Sequence, residues 1–594
     1  RRVQYLVDAG IAPAIVGAWS EKIGEMGVAK LENHWRYVIA RYGAYPVFWI
    51  LGGEVFDPPE EVAKKAEMRA AKDLGGWTEI GRYLRITDPY HHPLTVHEVS
   101  PDDLPLQDES ITDFHLFQPS HFGWASIAVE VAQLSAHYAR ASVTKPLVVG
   151  EIGYERLGEI QLEDFQRMAF WLGMLNGAAG FTYGANGVWE SYTADKPFQR
   201  WKWSLLTWQE GMNLPGSYQD GMNSKLLRQY EWWRFAPHQE WVNPHGTTLT
   251  QPDDHINHFH LDLQGEWGDW AGEGLNLPES DWKKHNGNFR LPYAAGIPGE
   301  VRFVYIPYFG LLPGPPPTIL DLEPNVQYHA YLWDTSLGVK FDLGDVERSV
   351  PGEIIRADKF ENNEDSNWMD YGFKCTRGDG KLLANRENLT ALNGVSETNV
   401  VATVTAKASS NAGLVLRLHD ADNYIAAIYS AKEKEVYILD RNKGTNGHPQ
   451  GSTSVADLSP DIKLTAEVKG NWAIVSVTDG KRTYTSEIVR VNNMEPGSAG
   501  LMHSDDGSAQ TFGNYELRRG SPIVMEDHLD RKLVDAQGNY RGELKGLGLA
   551  DMADFHMSSW SDFGREKIVL LDAYRPDRLP YGRDWILVLE NRKK

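Results

Sequence analysis

The chain has 594 residues, enough for about four domains at about 150 residues each. Its 59 Lys and Arg against 81 Asp and Glu leave a net charge of −22, which excludes a general nucleic-acid binder and docking on an anionic membrane surface, since both need clustered cations. With 42% hydrophobic and 24% charged residues the chain is not wholly disordered, and no run reaches the ~18 apolar residues that insert across a bilayer.

Over the first 200 residues two periodicities alternate. Short apolar runs at Ala14–Trp19, Pro46–Leu51, Pro93–Val99, Thr112–Phe117, Pro146–Gly150 and Gly180–Tyr183 read as buried strands. Between the first two, Leu31, Trp35, Val38, Ile39 and Tyr42 fall on one helical face, and Gly43 supplies a stop. Between the last two, Phe165, Met168, Leu172 and Leu175 form a similar stripe. Alternating βα units with short buried strands predict an α/β fold with a parallel sheet. A doubly wound sheet and a TIM barrel both satisfy the pattern, and no phosphate-cradling Gly-rich motif favours a nucleotide site. Six strands fall short of the eight of a (β/α)8 barrel, so the expectation is that two βα units precede Arg1; a six-stranded open sheet is the alternative.

After Trp233 the helical period fades. Alternating segments such as Val301–Ile306 and Tyr328–Trp333, with the Pro-rich turn Leu312–Pro317, predict a β-sandwich over 237–350. A second all-β stretch, 351–520, contains Val400–Ala406, Ala412–Leu418, Tyr424–Ser430, Glu435–Asp440, Ile462–Lys469 and Trp472–Thr478, and reads as a jelly roll. Residues 521–594 hold only Lys567–Leu571 and Trp585–Glu590, too few strands for a domain. They are expected to complete the first sandwich, with the jelly roll inserted between its strands. The barrel is assigned 1–236. The lone cysteine, Cys375, reads as a buried small hydrophobe and allows no intrachain disulfide.

Two predicted strands end in carboxylates: Trp49-Ile50-Leu51-Gly52-Gly53-Glu54 and Val148-Val149-Gly150-Glu151-Ile152-Gly153-Tyr154-Glu155. The C-terminal strand ends form the active face of α/β barrels, and glycines beside a carboxylate let a ligand approach. Two such groups fit glycosidic cleavage, one protonating the leaving oxygen and the other stabilising or attacking the anomeric carbon. Burial against aromatics such as Trp49 would raise the acid's pKa. Either glutamate alone could instead cap a helix or pair with an arginine. With 21 Trp, 26 Tyr and 20 Phe the chain is rich in flat apolar faces with a polar edge, which suit sugar rings as well as large cores.

The stretch Arg41-Tyr42 to Glu54 resembles the apiosidase-like glycoside hydrolases of family 140. So do Asp113-Phe114-His115-Leu116-Phe117-Gln118-Pro119-Ser120-His121, Gly150–Glu155 and Gly177-Ala178-Ala179-Gly180-Phe181-Thr182-Tyr183-Gly184-Ala185-Asn186-Gly187-Val188-Trp189. The resemblance implies a (β/α)8 barrel with the acid/base after strand four, here Glu54, and the nucleophile after strand seven, here Glu151. It implies a retaining mechanism, with a pentofuranose such as β-linked apiose on plant or algal polysaccharide side chains as substrate. Family members often carry Asp at the acid/base position; Glu54 is one methylene longer, which leaves the leaving-group geometry open. Gly582–Glu590 is similar to the ending of the family's accessory β-sandwich. The jelly roll lies outside the family pattern and is similar to concanavalin-like or laminin-G-like sandwiches, through Ala412–Arg417 and Asp422-Asn423-Tyr424, which leaves sugar binding and a spacer role both open.

Gln118 and His121 are expected to hold sugar hydroxyls, with a structural histidine the alternative for His121; His97 faces the site from a strand end or only hydrogen-bonds a loop. Tyr154 orients Glu151 or stacks on sugar. Tyr183, Asn186 and Trp189 are expected to form a subsite wall, and Trp19 lies on the same face. Glu155 is either a supporting residue behind those that touch the sugar or the main rival for the nucleophile. The loop pair His91-His92 reads as solvated, and no metal motif or cofactor is expected. The rival readings are a polysaccharide lyase, for which the strand ends lack an Arg or Lys cluster, and a non-catalytic carbohydrate-binding or scaffold protein. The expected partner is an oligo- or polysaccharide and the expected location secreted or periplasmic; oligomeric state is not legible.

Overall fold

A computed structural model describes residues 1–55, 75–98, 106–119, 121, 127, 130–131, 134, 145–157, 161–188, 191, 193, 206–245, 291–308, 316–346, 352–361, 367–443, 447–504, 507–521, 524–525, 566–576, 579 and 583–593. The fold is mixed α/β in its N-terminal part, followed by a β-rich part with sandwich-like sheets. Two units separate: one of residues 1–238, 246–297 and 334–339, the other of 239–245, 298–333 and 340–594.

In the first unit every predicted apolar run contains a strand. These are β1 (Ala14–Val16), β2 (Phe48–Ile50), β3 (Leu94–Thr95), β4 (His97–Glu98), β5 (His115–Phe117), β6 (Leu147–Val149) and β7 (Gly180–Phe181). All pair in parallel, in the orders β1-β2-β3 and β4-β5-β6-β7. The run expected as one strand over Pro93–Val99 is thus two, interrupted at Val96. Bonds from His97 N to Gly52 O (3.0 Å) and from Val55 N to His97 O (3.0 Å) carry the chain's pairing with the β2 segment past this break.

Helices α1 (Arg2–Asp8), α2 (Lys22–Met26), α3 (Val28–Tyr42), α4 (Gly76–Thr87), α5 (Glu163–Leu175), α6 (Trp208–Gly211) and α7 (Pro215–Leu227) are regular among the described residues. In α3 the stripe Leu31, Trp35, Val38 and Ile39 is buried. Trp35 meets Trp49 of β2 edge-on at 5.7 Å, and a Cβ on Gly17 would come 2.2 Å from the Trp35 ring, so only glycine lets β1's exit pass that close. Likewise α5 buries Phe165, Met168, Leu172 and Leu175.

Helical Glu130 is wholly buried, and neither of its side-chain oxygens has a hydrogen-bond partner. It lies where a Cβ on Gly173 of α5 would come 2.5 Å from Oε1. Burial pushes its pKa well above the carboxylate range. An acid whose folded-state pKa is raised contributes its full stability below the unfolded value and loses it as pH rises through the folded one. Replacing it with a similar-sized apolar group removes the penalty. Glu130→Met should therefore gain about 1–3 kcal/mol over the parent at alkaline pH, and much less near pH 4. Urea unfolding from about pH 4 to about pH 9 checks this; a gap between the two proteins that does not widen with pH would refute it.

The second unit is antiparallel. One sheet runs in the order 368–372, 388–392, 498–503, 412–420, 423–430, 435–441 and 449–454, and another follows the path 376–378, 381–384, 510–519, 400–407, 461–469, 472–478 and 483–485. They share a core in which Leu414, Leu416, Ile425 and Ile438 of the first meet Val404, Leu464, Val475 and Leu517 of the second. The six strands predicted here match observed strands to within a residue or two. Trp585–Asn591 pairs antiparallel with Val301–Ile306, from Val301 opposite Glu590 to Ile306 opposite Trp585. Cys375 is buried, as expected. Arg302, also buried, stacks 4.2 Å over Trp241 and reaches Glu323 at 2.8 Å, so its charge is paired as burial requires.

Candidate active site

Beyond β2 the chain runs through two glycines that nothing larger could replace. A Cβ on Gly52 would lie 2.6 Å from Val55 and 2.9 Å from Trp77; one on Gly53 would lie 2.3 Å from the Trp19 ring. Gly53 bridges Trp19 in parallel, extending the sheet by one step, and the next residue, Glu54, has φ of +50°. A non-glycine residue in this region costs about 1–2 kcal/mol, and such strain gathers where a side chain must be aimed. Glu54 is half-buried and accepts a hydrogen bond from Gln118.

On the other side of the array, Gly150 N bonds to Phe117 O (2.8 Å), and a Cβ on Gly150 would strike Leu116 at 2.5 Å. Glu151 follows. Its Oε2 lies 3.3 Å from His97 Nε2 and its Oε1 3.2 Å from His121 Nε2, and the Tyr154 hydroxyl donates to Oε1. The His121 ring lies 5.0 Å from that of Tyr154, and its Nε2 2.8 Å from the Gln118 amide. Gln161 donates to the His121 carbonyl at 2.7 Å. Trp19, 40% exposed, meets His97 edge-on at 6.1 Å and leaves ring surface open to solvent. Glu54, Gln118, His121, Glu151, Tyr154, His97 and Trp19 therefore form one constellation.

Its electrostatics separate the two carboxylates. Burial raises the Glu54 pKa, and the Glu151 charge raises it further against the pull of His121 and Gln118. Burial alone would raise Glu151 too, but His121, Tyr154 and His97 together hold it below the ordinary carboxylate value. Burial lowers the His97 pKa, against the pull of the Glu151 charge. Displacement of two carboxylates in opposite directions is the pattern that separates an acid from a nucleophile.

Other residues singled out from sequence lie elsewhere. The Tyr183 hydroxyl donates to Glu155 Oε2 at 2.5 Å. Asn186 is wholly buried, and its amide nitrogen donates to the Arg156 carbonyl at 2.9 Å, so it ties a loop instead of lining a wall. Glu155, 1% exposed, is held by Tyr183 and by Gly216 N (3.0 Å). Trp189 lies outside the described residues. His92 is not solvated: its ring bonds Asp88 (3.0 Å) and the Tyr45 carbonyl (2.9 Å). Among the described residues no group of three or more His, Cys, Asp or Glu is placed to hold a metal ion. The His97–Glu151 contact escaped the sequence, because only the parallel register of β4, β5 and β6 brings them together; the one available signal was that both end strands.

Residues 1–234 match the family model described as "Apiosidase-like, catalytic domain". No protein of curated function matches the sequence. Among solved structures, the chain is similar to a glycoside hydrolase family 5 protein from Bacteroides vulgatus, at 16% identity and a TM-score of 0.43 over 58% of this chain and 66% of that one, just under two thirds of its length. A second, described as a glycoside hydrolase, gives 16% identity and a TM-score of 0.41 over 58% of this chain and 69% of that chain. A family 66 carbohydrate-binding module from Bacillus subtilis gives 15% identity and a TM-score of 0.23 over 26% of this chain and 96% of that one.

Proposed function

With residues 1–234 a glycoside hydrolase domain of the Apiosidase-like kind, we propose that the protein is a retaining glycosidase in which Glu54 is the acid/base and Glu151 the nucleophile. The observation that carries this reading is the geometry: Glu151 is held by His97, His121 and Tyr154, while Glu54 sits on Gln118, which itself meets His121. In the first step Glu151 attacks the anomeric carbon while the glycosidic C–O bond breaks and the Glu54 proton passes to the leaving oxygen. The resulting glycosyl ester removes the Glu151 charge, and with it one of the causes that raise Glu54. Glu54, having given up its proton, is then favoured as carboxylate; it takes a proton from the incoming water as the water oxygen bonds to the anomeric carbon and Glu151 departs as carboxylate. The open face of Trp19 supplies a platform for a sugar ring.

The substrate is a side chain of a plant or algal polysaccharide, with β-linked apiose or another pentofuranose as the sugar released. The parallel array is read as part of a (β/α)8 barrel over 1–236. Residues 237–350 and 521–594 are read as one sandwich interrupted by the jelly roll of 351–520; the pairing of Val301–Ile306 with Trp585–Asn591 supports this. Secretion or periplasmic location follows from a polymeric substrate outside the cell.

Sugar release from a panel of plant and algal glycans, including apiose-bearing pectin fragments, tests the assignment. The expected result is release of one pentofuranose, first formed with retained anomeric configuration by NMR. The kcat/KM profile should be bell-shaped: its acid limb, from Glu151, lies below the ordinary carboxylate value and its alkaline limb, from Glu54, above it. Inverted product would refute the retaining mechanism, and no release from any glycan by folded protein would favour the non-catalytic reading.

A further inference from the structure

Glu155 lies four residues after Glu151, and the segment between them also carries Tyr154. Every bond the structure gives Glu155 fixes that segment. Its backbone N donates to Gly184 O (2.9 Å), its carbonyl accepts from Asn186 N (3.1 Å), and it bridges Ala185 in parallel. Its Oε2 accepts from the Tyr183 hydroxyl (2.5 Å) and from Gly216 N (3.0 Å) in the first turn of the 13-residue helix α7. The fit is close: a Cβ on Gly216 would lie 2.4 Å from Glu155 Oε2 and 2.9 Å from Tyr183, and one on Gly184 would lie 2.3 Å from the Tyr154 ring. The residue before it, Tyr154, donates its hydroxyl to Glu151, so whatever fixes Glu155 fixes the backbone that carries this donor.

We propose that Glu155 is a positioning residue, which locks the segment after β6 to the chain after β7 and to the start of α7 and so holds the Tyr154 hydroxyl on Glu151. The proposal rests on Glu151 being the nucleophile. What the position requires is an acceptor, so glutamine should serve where alanine cannot.

The experiment measures kcat, KM and kcat/KM against pH for Glu155→Ala, Glu155→Gln, Tyr154→Phe and Tyr154→Phe/Glu155→Ala, beside Glu151→Gln. Glu155→Ala should lower kcat on the order of 10- to 100-fold with little change in KM, and move the acid limb to higher pH, as Tyr154→Phe does by removing the same donor from Glu151. The double variant should be no worse than about the poorer single one. Glu155→Gln should recover most of the activity. Should Glu155→Ala not fold, Tyr183→Phe, which removes one anchor, must move the acid limb the same way by less. Additive losses, or an acid limb that stays in place, would overturn the proposal while Glu151→Gln is inactive. Activity retained by Glu151→Gln would instead overturn the assignment of the nucleophile.

Discussion

Glu151→Gln should release sugar at least about 10⁴-fold more slowly than the parent protein and still fold. An amide cannot form the glycosyl ester, so the loss falls on kcat, whatever leaving group the substrate carries. The surroundings tolerate the exchange: the glutamine oxygen can accept from Tyr154 and His121 where Glu151 Oε1 does. A second readout needs no substrate. The Glu151 charge is one cause of the raised Glu54 value, so in Glu151→Gln the Glu54 carboxyl should titrate lower, as followed by carbon-detected NMR. A variant that keeps activity within tenfold of the parent, or a Glu54 titration that does not move, would defeat the paired-carboxylate reading.

Glu54→Gln should behave differently, and the difference identifies the acid/base. Losing a general acid costs about 10²- to 10⁴-fold where the leaving group needs its proton. On natural linkages the loss should be of that size. On an aryl glycoside whose leaving group departs unassisted, the first step should remain fast, the glycosyl-enzyme should accumulate, and a burst should precede slow turnover. Azide, which needs no base to attack, should restore turnover of the aryl substrate in Glu54→Gln and not in Glu151→Gln. Equal losses on natural and aryl substrates would remove Glu54 from the acid/base role.

The sequence was most legible where one element decides the outcome. The helical stripes Leu31-Trp35-Val38-Ile39 and Phe165-Met168-Leu172-Leu175 are buried as their spacing requires, because a helix presents a fixed face wherever it docks. The strands singled out in the β-rich part were placed to within a residue or two, because alternation and turn residues are local signals, while others such as Asn388–Leu392 and Gln510–Arg519 were not read. Glu54 and Glu151 stood out because an apolar run opening into glycine and then a carboxylate is itself local. Partners were not legible. Tyr183 and Asn186 follow a strand on the expected face, yet bonds to Glu155 and to the Arg156 carbonyl, across some 30 residues, turn them away from the constellation. His97 and Glu151 meet only through the register of β4 to β6. Nothing in the sequence around Glu130 marks it as a carboxyl left alone in the interior.

The strand Val301–Ile306 finds one neighbour at the far end of the chain: Tyr305 bonds Asp584 across 279 residues. A ribosome adding about 5–20 residues per second leaves that edge open for tens of seconds. The intervening strands occupy the interval with a core of their own, running from Phe360 to Leu517. The middle of the chain can thus be finished before the sheet is, because Trp585–Asn591 joins a strand made long before it. Loss of the strand Trp585–Asn591 would spare the interior core and bare the apolar edge of Val301–Ile306, which is a template for aggregation.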